Sequence, residues 1–194
     1  MSLDLSQCSD GDLAALALGG EERAYREFLR RYREPVYRLV RYTIRDGEEA
    51  LDVTQESFVS AFAALKRYDR ERPFRLWISR IALNKCRDWA RRRAVRAFFT
   101  RAAPLDDAFG LASDDASPEV EASDRAEMRR VNAAIGELPA KLREVLVLRA
   151  VEGMSQAEAA EALGVTEKTV ETRLYRARAK LKHLLEGTFD GSNF

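Results

Sequence analysis

The chain has 194 residues, of which 46% are hydrophobic and 34% are charged, and its formal net charge is +1. This length and composition allow one or two modest hydrophobic cores. Because phosphate binding depends on local positive charge, a nearly neutral protein binds nucleic acid only if its lysines and arginines are concentrated on particular surfaces.

The sequence offers no obvious metal or redox site. Its two cysteines, Cys8 and Cys86, lie far apart, and His183 is its only histidine. A Cys/His zinc cluster is therefore excluded, no cofactor is expected, and a reducing cytoplasm is the simplest compartment. Either cysteine could sense oxidation, although isolated cysteines are more often inert. No apolar run approaches the ~20 residues that cross a membrane, and no secretory signal is recognisable, so we expect no membrane insertion.

In chain order, the first segments are predicted to be helical. A short helix is expected at Asp10–Leu18, and a second begins after Gly20 with an apolar stripe. Pro35 is expected to interrupt this second helix, and a third apolar segment follows at Val36–Ile44.

Two longer helices are predicted next. The first begins at Glu48, and its apolar stripe consists of Leu51, Thr54, Phe58, Phe62 and Leu65. The second begins around Pro73, and its apolar face consists of Trp77, Ile78, Ile81, Ala82 and Trp89. The other side of this helix is basic, with Arg80, Lys85, Arg87, Arg91, Arg92, Arg93 and Arg96. Residues 10–96 are therefore expected to form one all-helical domain with a cationic surface.

The composition then changes abruptly to Ala, Asp, Ser, Pro and Gly, which predicts a flexible acidic linker at residues 97–123. Beyond it, apolar periodicity predicts a helix ending near Leu138 and another that Pro139 opens. Together with the helix pair described next, they form an expected four-helix domain at residues 124–186. The fold class is thus predicted to be all-α, with two helical domains.

The most informative stretch, residues 155–182, has the pattern of a helix-turn-helix. Ser155 and Glu158 form a capping box that starts one helix, Gly164 can supply the left-handed residue that ends it, and Thr166 can cap the next. A small residue at the expected helix crossing, Ala160, and an apolar anchor, Val170, complete the spacing. This combination predicts a DNA-binding motif.

The second helix of this motif has two distinct sides. Apolar residues at helical spacing are expected to face the core: Val170, Leu174, Ala177 and Leu181. The opposite side, which would enter the major groove, presents Lys168, Glu171, Thr172, Tyr175 and Arg176. Basic residues that flank it would lie near phosphates: Arg173, Arg178, Lys180 and Lys182. The alternative is a packing motif with a solvated charged face.

Three stretches in this order resemble a bacterial RNA polymerase sigma factor of the extracytoplasmic-function (group IV) type: ALDVTQESFVSAFAAL, FRLWISRIALNKCRDWARRR and LPAKLREVLVLRAVEGMSQAEAAEALGVTEKTVETRLYRARAKL. The resemblance covers nearly the whole chain. It implies an alternative sigma factor that binds core polymerase and directs initiation from promoters with −35 and −10 elements, and for which catalysis belongs to the polymerase. It also implies a linker that passes near the RNA exit path, although a plain tether explains the same composition.

The resemblance assigns roles to individual residues. Docking on the clamp helices of the largest polymerase subunit falls to Asp52, Gln55 and Glu56, although an acidic helix surface can equally be merely solvated. Capture of an extruded base of the −10 element falls to Lys66, Arg67, Tyr68, Trp77, Arg80 and Asn84, with Trp89 expected in the core. The second domain would bind the β flap and read the −35 element, and Arg173, Arg176 and Arg178 match the family pattern. Glu171 departs from it, because a basic residue is common there.

The resemblance also implies regulation by an anti-sigma factor. Two alternatives remain open at this point: a stand-alone dimeric helix-turn-helix regulator, which would bind a palindromic site without polymerase, and an enzyme with a DNA-binding tail. No nucleophile or Gly-rich phosphate loop supports the last alternative.

Overall fold

The computed structural model of the chain describes residues 4–100 and 118–186, with side chains described at 4–99 and 126–186. This described part contains helices and no β-strand, so the predicted all-α fold class is confirmed. Its α-helices are α1 (Asp10–Leu18), α2 (Glu22–Ile44), α3 (Gly47–Ala63), α4 (Phe74–Thr100), α5 (Pro118–Glu137), α6 (Ala140–Leu146), α7 (Gln156–Leu163) and α8 (Glu167–Glu186). Short 3-10 turns lie at Leu5–Gln7 and Leu65–Arg67, and a π-helical turn at Val147–Val151 extends α6.

Helices α1–α4 form the first unit around an aromatic and aliphatic core. The rings of Phe28 on α2 and Phe74 on α4 stack with centroids 4.1 Å apart. Both side chains are fully buried, as are Leu39, Ile78 and Leu83. Burial of these large apolar side chains, worth roughly 1.5–3 kcal/mol each, is the main force that holds the helices together.

The predicted interruption at Pro35 is wrong, because α2 continues through this residue to Ile44. A proline in a helix interior costs ~3 kcal/mol relative to alanine. The residues that follow it, Val36, Leu39 and Val40, are all buried in the core of the first unit. Their burial exceeds the cost of the proline, and tertiary packing therefore overrides the local signal.

The apolar stripe predicted on α3 is partly wrong. Phe58 is buried as expected, but Leu51 is 45% exposed, whereas Ala50 and Val53 are buried. Helix α3 packs against both α2 and α4. Because α3 contacts two helices, a broad face that includes small residues is buried in the core, and Leu51 lies outside this face.

The ends of the predicted linker at residues 97–123 are helical. Helix α4 runs to Thr100 and α5 begins at Pro118, so helical turns occupy both margins of the acidic segment. The remaining linker residues, including the acidic residues Asp106, Asp107, Asp114 and Asp115, lie outside the described residues.

Helices α5–α8 form the second unit, with Leu138, Leu148, Met154 and Val170 fully or almost fully buried. The second unit packs against the first, since α7 contacts α4 while α5 and α6 contact α2. In one contact between the units, the Tyr42 hydroxyl of α2 donates a 3.1 Å hydrogen bond to Oδ1 of Asn132 on α5. The two units are therefore in direct contact in this structure.

Candidate nucleic-acid interface

The helix-turn-helix has the capping arrangement that the sequence predicts. The Ser155 side chain accepts from the Glu158 backbone N–H at 3.2 Å, and the Glu158 carboxylate accepts from the Ser155 N–H at 2.6 Å. This second bond is the main reason why the pKa of Glu158 is lowered. Gly164 ends α7 in the left-handed conformation, with φ 67°. Glycine adopts this conformation at no steric cost because it has no Cβ, so the turn between the helices is fixed by local sequence.

The start of α8 also follows the prediction. The Thr166 hydroxyl accepts from the Thr169 backbone N–H at 3.2 Å, which caps the helix. Val170 is fully buried beneath α8, and Ala160 is buried where α7 packs against it. These contacts fix the angle between α7 and α8, and the outward side of α8 is thereby directed away from the core.

We call that outward side the recognition face, and it consists of Lys168, Glu171, Thr172, Tyr175 and Arg176, all of them exposed. Tyr175 is 76% exposed, which is unusual for a residue with a large aromatic side chain. Among the flanking basic residues, Arg178, Lys180 and Lys182 are exposed, whereas Arg173 is half-buried. The arrangement offers hydrogen-bond donors, a carboxylate acceptor and an aromatic ring to a groove of duplex DNA.

Glu171 is not an isolated acid on this surface. The ammonium group of Lys168 lies 3.0 Å from its carboxylate, one helical turn earlier. Both side chains are largely exposed, so the pair contributes little to stability and can separate when a ligand arrives.

A second candidate surface lies where the first unit meets α7. We call it the base pocket, a cavity of about 170 Å³ lined by Arg67, Tyr68, Asp69, Arg72, Pro73, Leu76, Trp77, Arg80 and Glu161. The rings of Tyr68 and Trp77 lie 5.2 Å apart with a 37° tilt. Aromatic rings surrounded by arginines are suited to a nucleobase with its phosphate, since the ring stacks and the guanidinium pairs with charge.

Tyr68 forms a wall of this pocket from a fixed position. It is only 6% exposed, and its hydroxyl donates to the Arg72 backbone carbonyl. Burial raises the pKa of Tyr68 above its usual range, so the phenol stays neutral. Trp77 is only half-buried and has ring surface open to the cavity.

The residues that the resemblance assigns to the −10 element are brought together only in part. Arg67, Tyr68, Trp77 and Arg80 line the base pocket, while Lys66 and Asn84 are exposed and do not line it. The amide oxygen of Asn84 accepts instead from Arg87 at 3.0 Å. Sequence reasoning missed Arg72 and Glu161, which line the pocket and form an ion pair with each other.

The three residues assigned to polymerase docking, Asp52, Gln55 and Glu56, are exposed on α3. Glu56 lies 3.7 Å from the Arg92 guanidinium of α4. Gln55 lines a groove of about 500 Å³ between α2 and α3, which we call the docking groove; its lining is Leu29, Arg30, Arg33, Glu34, Tyr37, Leu51, Thr54 and Gln55. The exposed Leu29 and Leu51 give it an apolar floor that the sequence analysis did not identify.

Among the described residues, no group of three or more His, Cys, Asp and Glu side chains could hold a metal ion. No helix in residues 4–100 or 118–186 is both long and apolar enough to cross a bilayer.

An all-helical chain with a capped helix-turn-helix, an exposed recognition face and a separate aromatic and cationic pocket belongs to the class of DNA-binding transcription proteins. Comparison with known proteins identifies the family within this class. Family models match at residues 28–96 (Sigma-70 region 2) and 128–181 (Sigma-70, region 4).

Individual relatives agree with these matches. The RNA polymerase sigma factor CnrH of Cupriavidus metallidurans is 43% identical over 92% of this chain and 95% of its own. The ECF RNA polymerase sigma factor SigM of Mycobacterium tuberculosis is 34% identical over 91% of this chain and 85% of its own.

Solved structures also match. The structure of CnrH in complex with the cytosolic domain of CnrY matches with a TM-score of 0.68 and 36% identity, over 93% of this chain and 99% of that one. The sigma factor RpoE from Bartonella quintana, in complex with the anti-sigma factor NepR, has the same fold, with a TM-score of 0.72 at 19% identity over 84% and 96% of the chains.

The chain belongs to the sigma-70 family, among its extracytoplasmic-function members. It is an alternative sigma factor, which directs transcription initiation.

Proposed function

We propose that the two units of this sigma factor read two promoter elements for core RNA polymerase. Residues 10–96 bind the polymerase and capture the −10 element, and residues 124–186 read the −35 element. The observation that supports this best is that one chain carries two different DNA-compatible surfaces, the base pocket and the recognition face. The pocket suits a single unpaired base, and the exposed side of α8 suits a duplex.

The recognition face supports reading of the −35 element. Helix α8 has 20 residues, so it is long enough to lie along a major groove. Arg176 can bind guanine with two hydrogen bonds, and Thr172 can contact a thymine methyl or a polar base edge. Arg173 and Arg178 would pair with phosphates and position the helix without reading sequence.

The base pocket supports capture of a −10 base. A base leaves the duplex stack only if stacking and pairing are replaced, and the half-buried Trp77 ring can supply that stacking, at ~1–3 kcal/mol per base. Arg67 and Arg80 line the same cavity, where they can pair with the phosphates on either side of the base. Lys66 and Asn84, outside the cavity, would contact the strand as it continues along α4.

The docking groove supports binding to the polymerase. It combines the exposed Leu29 and Leu51 with polar and charged side chains on its edges. An apolar centre with a polar rim is the usual composition of a protein interface. A helix of the largest subunit would lie in the groove, with Asp52 and Glu56 beside it, and the second unit would bind the β flap. Catalysis then belongs to the polymerase, and the complex acts in the cytoplasm.

An anti-sigma factor is a further proposed partner. The CnrH structure contains the cytosolic domain of CnrY, and the Bartonella quintana RpoE structure contains the anti-sigma factor NepR. Because CnrH is 43% identical over nearly its whole length, we propose that a comparable inhibitor binds this chain.

Run-off transcription tests the proposal. Core polymerase with the full chain is expected to produce specific transcripts from a library of promoter fragments, and core polymerase alone is not. Replacing Arg176 by Ala should reduce these transcripts through weaker −35 binding, at ~1–3 kcal/mol for a bidentate contact. If no specific transcript forms and the chain also fails to bind core polymerase, the proposal is wrong. A stable homodimer that binds a palindromic duplex without polymerase would favour a stand-alone regulator instead.

A further inference from the structure

We infer that the second unit masks the base pocket in the free chain, with Glu161 of α7 serving as an internal substitute for a DNA phosphate. The inference rests on the proposed role of the pocket in capturing a −10 base. It assigns a regulatory role to an acidic residue of the helix-turn-helix that lines the base pocket and is not part of the recognition face.

The composition of the pocket is the first observation. Eight of its nine lining residues come from residues 67–80 of the first unit, and Glu161 alone comes from the second. Its carboxylate pairs with the Arg72 guanidinium, 89 residues away in sequence. Arg67 and Arg80 line the same cavity. A carboxylate among three arginines has the sign and the hydrogen-bond acceptors that a phosphate would bring.

The Arg72–Glu161 pair does not hold the units together by itself. The two side chains are 59% and 41% exposed, and exposed pairs contribute little. Stronger attachments lie elsewhere on the interface. Two carboxylates of the second unit, Glu144 and Glu152, are only 6% and 4% exposed.

Each of these buried carboxylates is paired with an arginine of the first unit. Arg87 donates to Glu144 at 3.2 and 2.9 Å, and Arg38 pairs with Glu152 at 3.2 Å. Removal of an arginine would leave a buried negative charge without its partner, which is strongly unfavourable. These two pairs therefore hold the second unit, which includes α7, against the first. As a consequence, Glu161 of α7 lies in the base pocket.

Distances on a promoter show that this packed arrangement cannot be the DNA-reading one. Elements named −35 and −10 are centred about 25 base pairs apart, which corresponds to roughly 85 Å of duplex. Helix α8 is only ~30 Å long, and it follows α7, which lies against the pocket. The recognition face and the base pocket must therefore move apart before both elements are read.

The masking affects one surface only. Tyr175 and Arg176 remain exposed while α7 covers the pocket. The packed chain can thus approach duplex DNA with its recognition face, but a single strand has to displace Glu161. This difference distinguishes masking from general charge repulsion, which would weaken both kinds of binding.

Fluorescence anisotropy with a short labelled single strand of random sequence tests the inference in the full chain. Glu161→Gln should bind the strand roughly 3- to 10-fold more tightly than the unchanged chain, because one negative charge leaves the pocket. The matched control is Glu127→Gln, which removes the same charge from an exposed position on α5. The affinity of this control for the strand should rise only slightly. Equal increases in strand affinity for Glu161→Gln and Glu127→Gln would overturn the inference.

A second variant gives a test of opposite sign. Arg38→Ala combined with Arg87→Ala removes two positive charges, so simple electrostatics predicts weaker strand binding. Masking predicts tighter binding, together with a larger radius of gyration in small-angle X-ray scattering, because the interface opens. Weaker binding would overturn the inference even if run-off transcription succeeds, whereas failure of that transcription counts against the proposed function itself.

Discussion

The indole N–H of Trp89 on α4 donates a 2.8 Å hydrogen bond to Oε2 of Glu49 on α3. The guanidinium of Arg93 lies 5.2 Å from the centre of the Trp89 ring. Trp89 is buried, whereas Trp77 is half-buried and lines the base pocket. The two tryptophans of the chain therefore differ in role, since Trp89 holds α4 against α3 and Trp77 offers its ring to a ligand.

Replacing Trp89 by Phe is expected to destabilise the first unit. The change removes the hydrogen bond to Glu49 and leaves a small void, which together cost about 1–2 kcal/mol. For a chain of this size the melting temperature should fall by about 2–8 °C in a thermal scan. Glu49→Gln is the matched control, because its amide oxygen can still accept from the indole and the loss should be smaller.

Replacing Trp77 by Leu is expected to impair promoter opening. The substitution keeps apolar contact with Phe74 but removes the stacking surface, and the loss of ~1–3 kcal/mol corresponds to a roughly 5- to 150-fold weaker captured state. The permanganate reactivity of −10 thymines in polymerase–promoter complexes measures promoter opening, and it should be lower with this variant. Duplex binding by the recognition face should be unchanged. Normal opening by this variant would exclude stacking on Trp77.

Replacing Glu171 by Ala is expected to change promoter preference. A glutamate on the recognition face can accept from cytosine N4, at ~1–3 kcal/mol of discrimination against other bases. The variant should therefore lose a cytosine preference at one −35 position when promoters are selected from a library. Lys168→Ala serves as the control, because it removes the ion-pair partner of Glu171 but keeps the carboxylate. An unchanged preference at every position would contradict the assignment.

Features governed by local hydrogen bonding were predictable from sequence. The Ser155 capping box, the Gly164 turn and the Thr166 cap each depend on residues at most four positions apart, so a single sequence contains the whole signal. The inward and outward sides of α8 follow from helical periodicity for the same reason. These elements are also the ones whose structure agrees with the prediction.

Features that depend on distant neighbours were not predictable in this way. Pro35 signals an interruption locally, yet burial of the residues after it keeps α2 continuous. Leu51 fits an apolar stripe, yet the packing of α3 between two helices leaves it exposed. Arg72 and Glu161 form an ion pair although they are 89 positions apart, and no local sequence pattern predicts this pair.

Glu27 is expected to make stability depend on acid pH. Its carboxylate accepts from Arg30 and Arg31 at 2.7 Å, and the hydrogen bond from Arg30 is the main cause that lowers its pKa from 4.5 to about 2. Because the folded-state pKa is depressed, the stabilisation is present above pH 4.5 and is lost as the pH falls towards 2. Denaturant titrations across this range should show a shallower decline for Glu27→Gln, which is less stable at neutral pH. Parallel pH profiles for the two proteins would exclude this origin.

Cys86 is expected to be unreactive in the folded chain, whereas Cys8 is expected to react. Cys86 is 1% exposed, and burial raises its pKa to about 12, so its thiolate is scarce at neutral pH. Cys8 is half-buried and lies in the turn before α1. Because the thiolate is the nucleophile, a disulfide reagent at about pH 8 should modify one thiol readily and the second only after denaturation. Cys8→Ser should remove the fast phase, and Cys86→Ser should retain it. Equal rates for both thiols in the native chain would mean that α4 opens easily and that Cys86 is accessible to oxidants.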